Sequence, residues 1–285
     1  MTRCPCGRRK ESLQPLMKPK PAITLDRVLS RFGLGSRTEA RAAVLEGRLK
    51  VNGRVVRDPD FWVKPGKDAV HLDGERLKAA RPIVLLLYKP KGVITSHGDP
   101  QGRPTVYDHL GDLGRWVVPV GRLDMDSSGL LLLTNNTALS DFIARPQSCV
   151  PKTYRVKLNG LMPGEIIAHL DAGVRMKRGD WARPLSVRRL EDRGKYTWLE
   201  VVLTEGKNRE VRRMVEAAGF QVLKLVRTGI GELTLESLEV GAWRRLSPVE
   251  IAALRRSGRA QKRREAAPVA SVTTSQTATP QILSN

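Results

Sequence analysis

Between residues 23 and 32 the apolar positions Leu25, Val28, Leu29 and Phe32 recur at helical spacing, and Gly33 and Gly35 follow. That pattern predicts a short helix stopped by glycine. Ser36 and Glu39 stand three apart at the head of "RTEARAAVLEG". This is capping-box spacing, so a second helix is expected, closed by Gly47. The period then changes to two. "LKVNGRVV" carries Asn52-Gly53 and "DAVHLDGERL" carries Asp73-Gly74, both dipeptides of tight hairpin turns. Residues 21–80 thus read as a small α+β module, and "KAARP" (78–82) as its linker.

Beyond the linker the apolar runs lengthen. "IVLLLYKP", "GLLLLTN", "TYRVKLNG", "YTWLEVVLTE" and "FQVLKLVR" read as strands. "ALSDFIAR", "GEIIAHLDAG" and "NREVRRMVEAAG" read as helices between some of them. Regular alternation of strand and helix is absent, which excludes a doubly wound sheet. The expected fold class is α+β: a mainly antiparallel mixed sheet with packed helices over residues 82–250. Residues 1–20 are expected to form a disordered basic tail. Residues 251–285 are expected to form a second one, first basic and then rich in Ser, Thr and Ala.

Composition narrows the partner. The 285 residues include 50 Lys and Arg against 29 Asp and Glu, a net charge of +21. Such a balance calls for a polyanion, nucleic acid before membrane. No apolar run approaches the roughly 20 residues of a membrane span, and the N-terminus lacks the apolar core of a secretory signal. The three cysteines, Cys4, Cys6 and Cys149, cannot all pair within the chain. A reducing cytoplasm is the expected compartment. Cys4-Pro-Cys6 has no second ligand pair, and His71, His97, His109 and His169 are scattered, so no metal is expected. No Gly-rich phosphate loop is present, and no cofactor is expected. In the first module Arg27, Arg31, Arg37, Arg41, Arg48 and Lys50 crowd together with one sign, which favours a phosphate-tracking surface over an ordinary solvated face.

The helix–turn–helix with "GRLKVNGRVVRDPDFWVKPGKDAV" resembles the S4 RNA-binding domain, which implies that the polyanion is RNA. Four later stretches stand in a fixed order: "YKPKGVITS" (88–96), "GRLDMDSSGLLLLTN" (121–135), "KTYRV" (152–156) and "EGKNREVRRM" (205–214). Together they resemble the ribosomal RNA pseudouridine synthases of the RsuA/RluB-like family, which includes enzymes for both ribosomal subunits. The resemblance runs from residue 23 to about 250 and implies isomerisation of a uridine already built into RNA, by base flipping and without a cofactor.

The resemblance also implies roles. Asp124 is the catalytic carboxylate, attacking the ribose C1′ or removing the C2′ proton. It has to stay ionised under a base that excludes water, and an opposite charge within hydrogen-bond reach favours that form. The family supplies that charge from the position matched by Arg212. Arg122 enters the RNA where the nucleotide has swung out, although a simple Arg122–Asp124 ion pair stays open. Tyr154 stacks on the base and Leu223 walls its other side, against the alternative that both are core. Lys89, Lys152, Lys207, Arg209 and Arg213 surround the site, with Lys89 and Arg209 the preferred phosphate contacts. Asp126 is the rival carboxylate. Where the family commonly has Thr before the glycine, Ser128 keeps a hydroxyl for the loop.

The expected partner is ribosomal RNA, large-subunit (23S) slightly ahead of small-subunit (16S) because of the appended tail, and the expected state is a monomer. A non-catalytic S4-type RNA-binding or ribosome-assembly factor is the alternative; a DNA-binding regulator fits the hairpins poorly.

Overall fold

A computed structural model describes residues 22–78, 81–177 and 179–266. The chain divides into two compact units after residue 80.

In the first unit, β1 (Ile23–Thr24) leads through one 3-10 turn into α1 (Val28–Phe32), which Gly33 ends in the left-handed conformation at φ 72°. Ser36 and Glu39 form the reciprocal capping box of α2 (Arg37–Leu45). Strands β2 (Leu49–Val51) and β3 (Arg54–Val55) close around Asn52-Gly53, both at positive φ. Past β4 (Trp62–Val63), β5 (Val70–Leu72) and β6 (Glu75–Arg76) close around Asp73-Gly74 in the same way. The four hairpin strands pair in the order β3-β2-β5-β6, and β1 pairs with β4. Leu25, Val28, Leu29 and Phe32 are buried with Val44 and Leu49, as the helical spacing requires.

The second unit is built on a nine-stranded sheet. Its elements are β7 (Val84–Lys89), β8 (Val118–Pro119), β9 (Ser128–Thr134), α3 (Thr137–Ala144), β10 (Lys152–Leu158) and α4 (Gly164–Ala172). A short hairpin of β11 (Val174–Arg175) and β12 (Trp181–Ala182) follows. Then come β13 (Ser186–Arg193), β14 (Tyr196–Leu203), α5 (Glu210–Ala217), β15 (Val222–Ile230), β16 (Leu233–Thr234), β17 (Trp243–Arg245) and α6 (Pro248–Ala266). The main strand order is β13-β14-β10-β15-β9-β7-β17, with β16 on β15 and β8 on β9. All pairings are antiparallel except β9 with β15.

That parallel junction requires a glycine. Gly129 sits at φ 115°, and a Cβ there would lie 2.3 Å from the Arg227 carbonyl oxygen. The leucine run is explained by β9's central place: Leu131 and Leu133 face one buried cluster, Leu130 and Leu132 the other.

The tail expected from residue 251 is instead helical as far as Ala266. Ser247 and Glu250 cap α6 reciprocally, with the Ser247 amide donating to Glu250 Oε2 at 2.7 Å. Ile251 and Leu254 anchor it on the second cluster. Basic composition hid these apolar positions. The expected tails over 1–20 and 267–285, with Cys4 and Cys6, lie outside the described residues.

Candidate active site

Asp124 lies on the loop that feeds β9, and two buried side chains hold that loop's backbone. Lys89, at the end of β7, has no exposed surface. Its ammonium donates to the carbonyl oxygens of Pro90 (2.9 Å), Asp124 (3.1 Å) and Ser127 (2.8 Å), one acceptor for each proton. Burial pushes the Lys89 pKa down to about 8 against the pull of Asp124 and Asp126. Thr95 Oγ1 donates to the Leu123 carbonyl at 2.8 Å. Lys89 is therefore a loop clamp and not the phosphate contact the sequence suggested.

A second correction concerns the cation beside Asp124. Arg212, on α5, is buried and pairs with Asp126 Oδ2 at 3.0 Å. It also donates to the carbonyls of Asp126 and Val222 at 3.2 Å and to Ser127 Oγ at 3.4 Å. Arg209 is the residue that meets Asp124, at 3.4 Å from Oδ2, and it reaches Asp126 Oδ1 at 3.5 Å. A chain of alternating charge results: Asp124, Arg209, Asp126, Arg212. Arg209 caps α5 at φ 48°, and this backbone bend swings its side chain over the loop. The hydroxyl used in the loop is Ser127's, not that of Ser128.

Asp124 opens onto a cavity of 470 Å³ whose wall includes Arg122, Lys152, Tyr154, Leu203, Leu225 and Arg227, a size suited to a small planar ligand. Arg122 and Asp124 also line a neighbouring cavity of 580 Å³. Among the described residues Arg122 has no ion-pair or hydrogen-bond partner; the alternative of an Arg122–Asp124 pair is not formed. Tyr154 is buried in the wall. Leu223 is 46% exposed and outside the cavity. The reason is a bulge: Lys157 pairs with Lys224 and Leu158 with Val222, which leaves Leu223 as the extra, outward residue. Leu225 takes the wall position.

Matches with known proteins bear on this arrangement. The family model described as RNA pseudouridylate synthase covers residues 83–217, and the S4 domain model covers residues 23–70. Ribosomal large subunit pseudouridine synthase B of Bacillus subtilis (strain 168) is 38% identical over 233 residues, spanning 81% of this chain and 95% of that protein. The chain belongs to the RNA pseudouridylate synthase family. The Yersinia pestis protein of the same name is 39% identical over 231 residues, 78% of this chain and 72% of that one. A solved pseudouridylate synthase aligns with TM-score 0.59 at 28% identity, over 81% of this chain and 99% of its own. This synthase is thus an enzyme that converts uridine to pseudouridine in RNA, and nothing favours the non-catalytic alternative.

The rest of the synthase's cavity wall is more acidic and more buried than its sequence suggested. Lys152 is buried, donates to the Thr204 carbonyl at 3.1 Å, and has its pKa pushed down to about 8 by burial and by Arg227. Lys207 is held by the Trp181 carbonyl and Glu205, both at 2.9 Å, and Arg213 by Asp180 at 2.8 Å. Glu210, buried beside Glu205, is pushed up to about 7 by burial and by that carboxyl. Glu205, Glu210, Leu225 and Arg227 were not singled out from the sequence. Only alternation along β15 signals the last two.

In the S4 unit, Arg37 is committed to the buried Asp26, and Arg48 to Asp73 at 2.6 Å and Glu46 at 3.2 Å. Arg27, Arg41 and Lys50 are exposed and Arg31 is half-buried. The phosphate surface expected there keeps fewer uncommitted cations than the sequence count. Among the described residues no group of three or more His, Cys, Asp or Glu is placed to hold a metal, and no helix is long and apolar enough to cross a membrane.

Proposed function

We propose that the uridine lies in large-subunit ribosomal RNA and that Asp124 is the carboxylate that acts on it. The names of the relatives support the substrate, and the S4 unit with the +21 charge supports a structured RNA. The observation that carries the chemistry is Asp124's place between the 470 Å³ cavity and the Arg209 guanidinium. In this reading Arg122 fills the gap left in the RNA, and Tyr154 and Leu225 hold the flipped base between them. Asp124 attacks C1′ or takes the C2′ proton. The N1–C1′ bond breaks and the base turns. C5 then bonds to C1′ as the Asp124–C1′ ester bond breaks or, in the other route, as the proton returns to C2′; the C5 proton leaves and N1 gains one.

Arg209 straddles Asp124 and Asp126 in the free enzyme. In this reading Arg209 stays beside Asp124 as the base excludes water, which favours the ionised carboxylate. Arg212 neutralises Asp126. The same reading places the enzyme in the cytoplasm, acting as a monomer, which light scattering checks.

The experiment is to map pseudouridines in ribosomal RNA from cells lacking this chain, then restore wild type or Asp124→Asn. Wild type is expected to return one or a few sites and Asp124→Asn none. Unchanged large-subunit RNA in the deleted cells would overturn the substrate assignment.

A further inference from the structure

The sheet of the second unit has two faces, and helices cover them unequally. On the face that holds Tyr154, aliphatic side chains run from β7 to β13 beneath α4 and α5. On the opposite face the aliphatic cluster runs from β7 through β9 to Ile230, with α3 and α6. Among the described residues it takes nothing from β10, β13 or β14.

Those three strands turn a different set outward. On β10, Arg155 and Lys157 alternate with the buried Tyr154, Val156 and Leu158, and the register sets them beside Glu200 and Trp198 of β14. The Arg155 guanidinium lies 4.7 Å from the centre of the Trp198 ring. Lys157 Nζ lies 4.0 Å from the centre of Tyr196, and Lys195 Nζ 5.7 Å from it. Both rings are half-buried.

A structural ladder accounts for part of this. Arg188 pairs with Glu200 at 2.7 Å, and Glu191 bridges Arg155 and Arg193. Such pairs stabilise an exposed sheet, and charges on the edge strand β13 block unwanted strand addition. The ladder does not account for the surplus of cations. Lys157 and Lys195 rest on aromatic rings rather than carboxylates, and Lys224 lies opposite Lys157. Two aromatic rings on a solvated sheet face among unspent ammonium groups form a stacking platform for unpaired bases, with phosphate contacts at hand.

We propose that the outer face of β14, with its neighbours β10 and β13, is a second RNA contact that stacks unpaired bases flanking the target on Trp198 and Tyr196. The proposal rests on the chain acting on RNA and not on which RNA it modifies. A flanking segment reaches this face around the open edge of the sheet at β13. Lys157 and Lys195 then pass from Tyr196 to the phosphates, and Arg155 yields the Trp198 face while keeping its pair with Glu191.

The test uses the full chain and two probes: an oligouridine of about 12 nucleotides, and ribosomal RNA as substrate. Trp198→Ala is expected to weaken oligouridine binding about tenfold and to raise KM on ribosomal RNA with kcat unchanged. Trp198→Phe retains most of the affinity. Lys157→Ala with Lys195→Ala, which removes no core packing, should reduce the slope of log affinity against log salt by one to two, about 0.7 for each phosphate no longer neutralised. Unchanged affinity and salt slope with a lowered Tm would overturn the proposal and leave the face a structural ladder. So would normal binding to bare RNA with turnover lost only on intact subunits, which assigns the face to a ribosomal protein. Absence of wild-type turnover on ribosomal RNA bears on the substrate assignment alone, because the oligouridine arm still reads the face.

Discussion

Lys89 shows how a fully buried side chain shapes the loop that carries the candidate carboxylate. Its three protons each hold a backbone carbonyl, two of them in the Asp124 loop. Lys89→Met keeps the apolar stem and orphans the acceptors, at about 1–3 kcal/mol for a buried group left unsatisfied. The expected outcome is a kcat lowered at least tenfold with KM little changed, measured on ribosomal RNA. Glu210 gives a second prediction. Its folded pKa of about 7 stands above its usual 4.5, so between those values the folded chain holds a proton that the unfolded chain has lost. Stability therefore falls as pH rises from about 4.5 to about 7 and then levels. Glu210→Gln should flatten that part of a plot of Tm against pH. At this scale the meeting of Asp124, Arg122 and Tyr154 on one cavity could be expected, because they sit in short motifs whose order is itself informative. The partner of Arg212 was not: Asp124 and Asp126 are two residues apart on one loop, and only the fold decides which carboxylate α5 meets.

At the scale of elements, β9 pairs with β7 on one side and with β15 and β8 on the other. Gly129→Ala would drive a methyl into the Arg227 backbone, with atoms at 2.3, 2.6 and 2.9 Å, from a positive φ. Neither side can yield without breaking the parallel pair. A loss of about 2–4 kcal/mol is expected, combining overpacking and backbone strain, with β9–β15 amides losing hydrogen-exchange protection first. The apolar strands were readable from pattern alone, since β7, β9 and β10 bury at least one full face. β13 was not, because "SVRRLEDR" is an edge strand with one buried aliphatic position near its start. The β15 bulge was invisible for a related reason: alternation continues through Leu223 and Leu225 in the sequence, while the pairing skips a residue.

At the scale of the whole molecule, the net charge of +21 overstates what reaches RNA, because many cations are spent internally. The S4 unit makes the distinction measurable. Arg48 is held by two carboxylates and Arg37 by the buried Asp26, whereas Arg41 and Lys50 are exposed. Removing an uncommitted cation that touches a phosphate lowers the salt slope of binding by about 0.7–0.9. Removing a committed one changes stability instead, since Asp26 is only 4% exposed and loses its counter-charge. Arg41→Ala with Lys50→Ala is therefore expected to raise KM and flatten the salt dependence by one to two units without touching Tm or kcat. Arg37→Ala should lower Tm, by a stability loss of about 1–3 kcal/mol, and leave the salt slope as it was. Affinity titrations across ionic strength, paired with thermal melts of the same variants, separate the two classes. If Arg37→Ala alone flattened the salt dependence, the Asp26 pair would be one that RNA opens, and the S4 charges would have to be counted from the sequence after all.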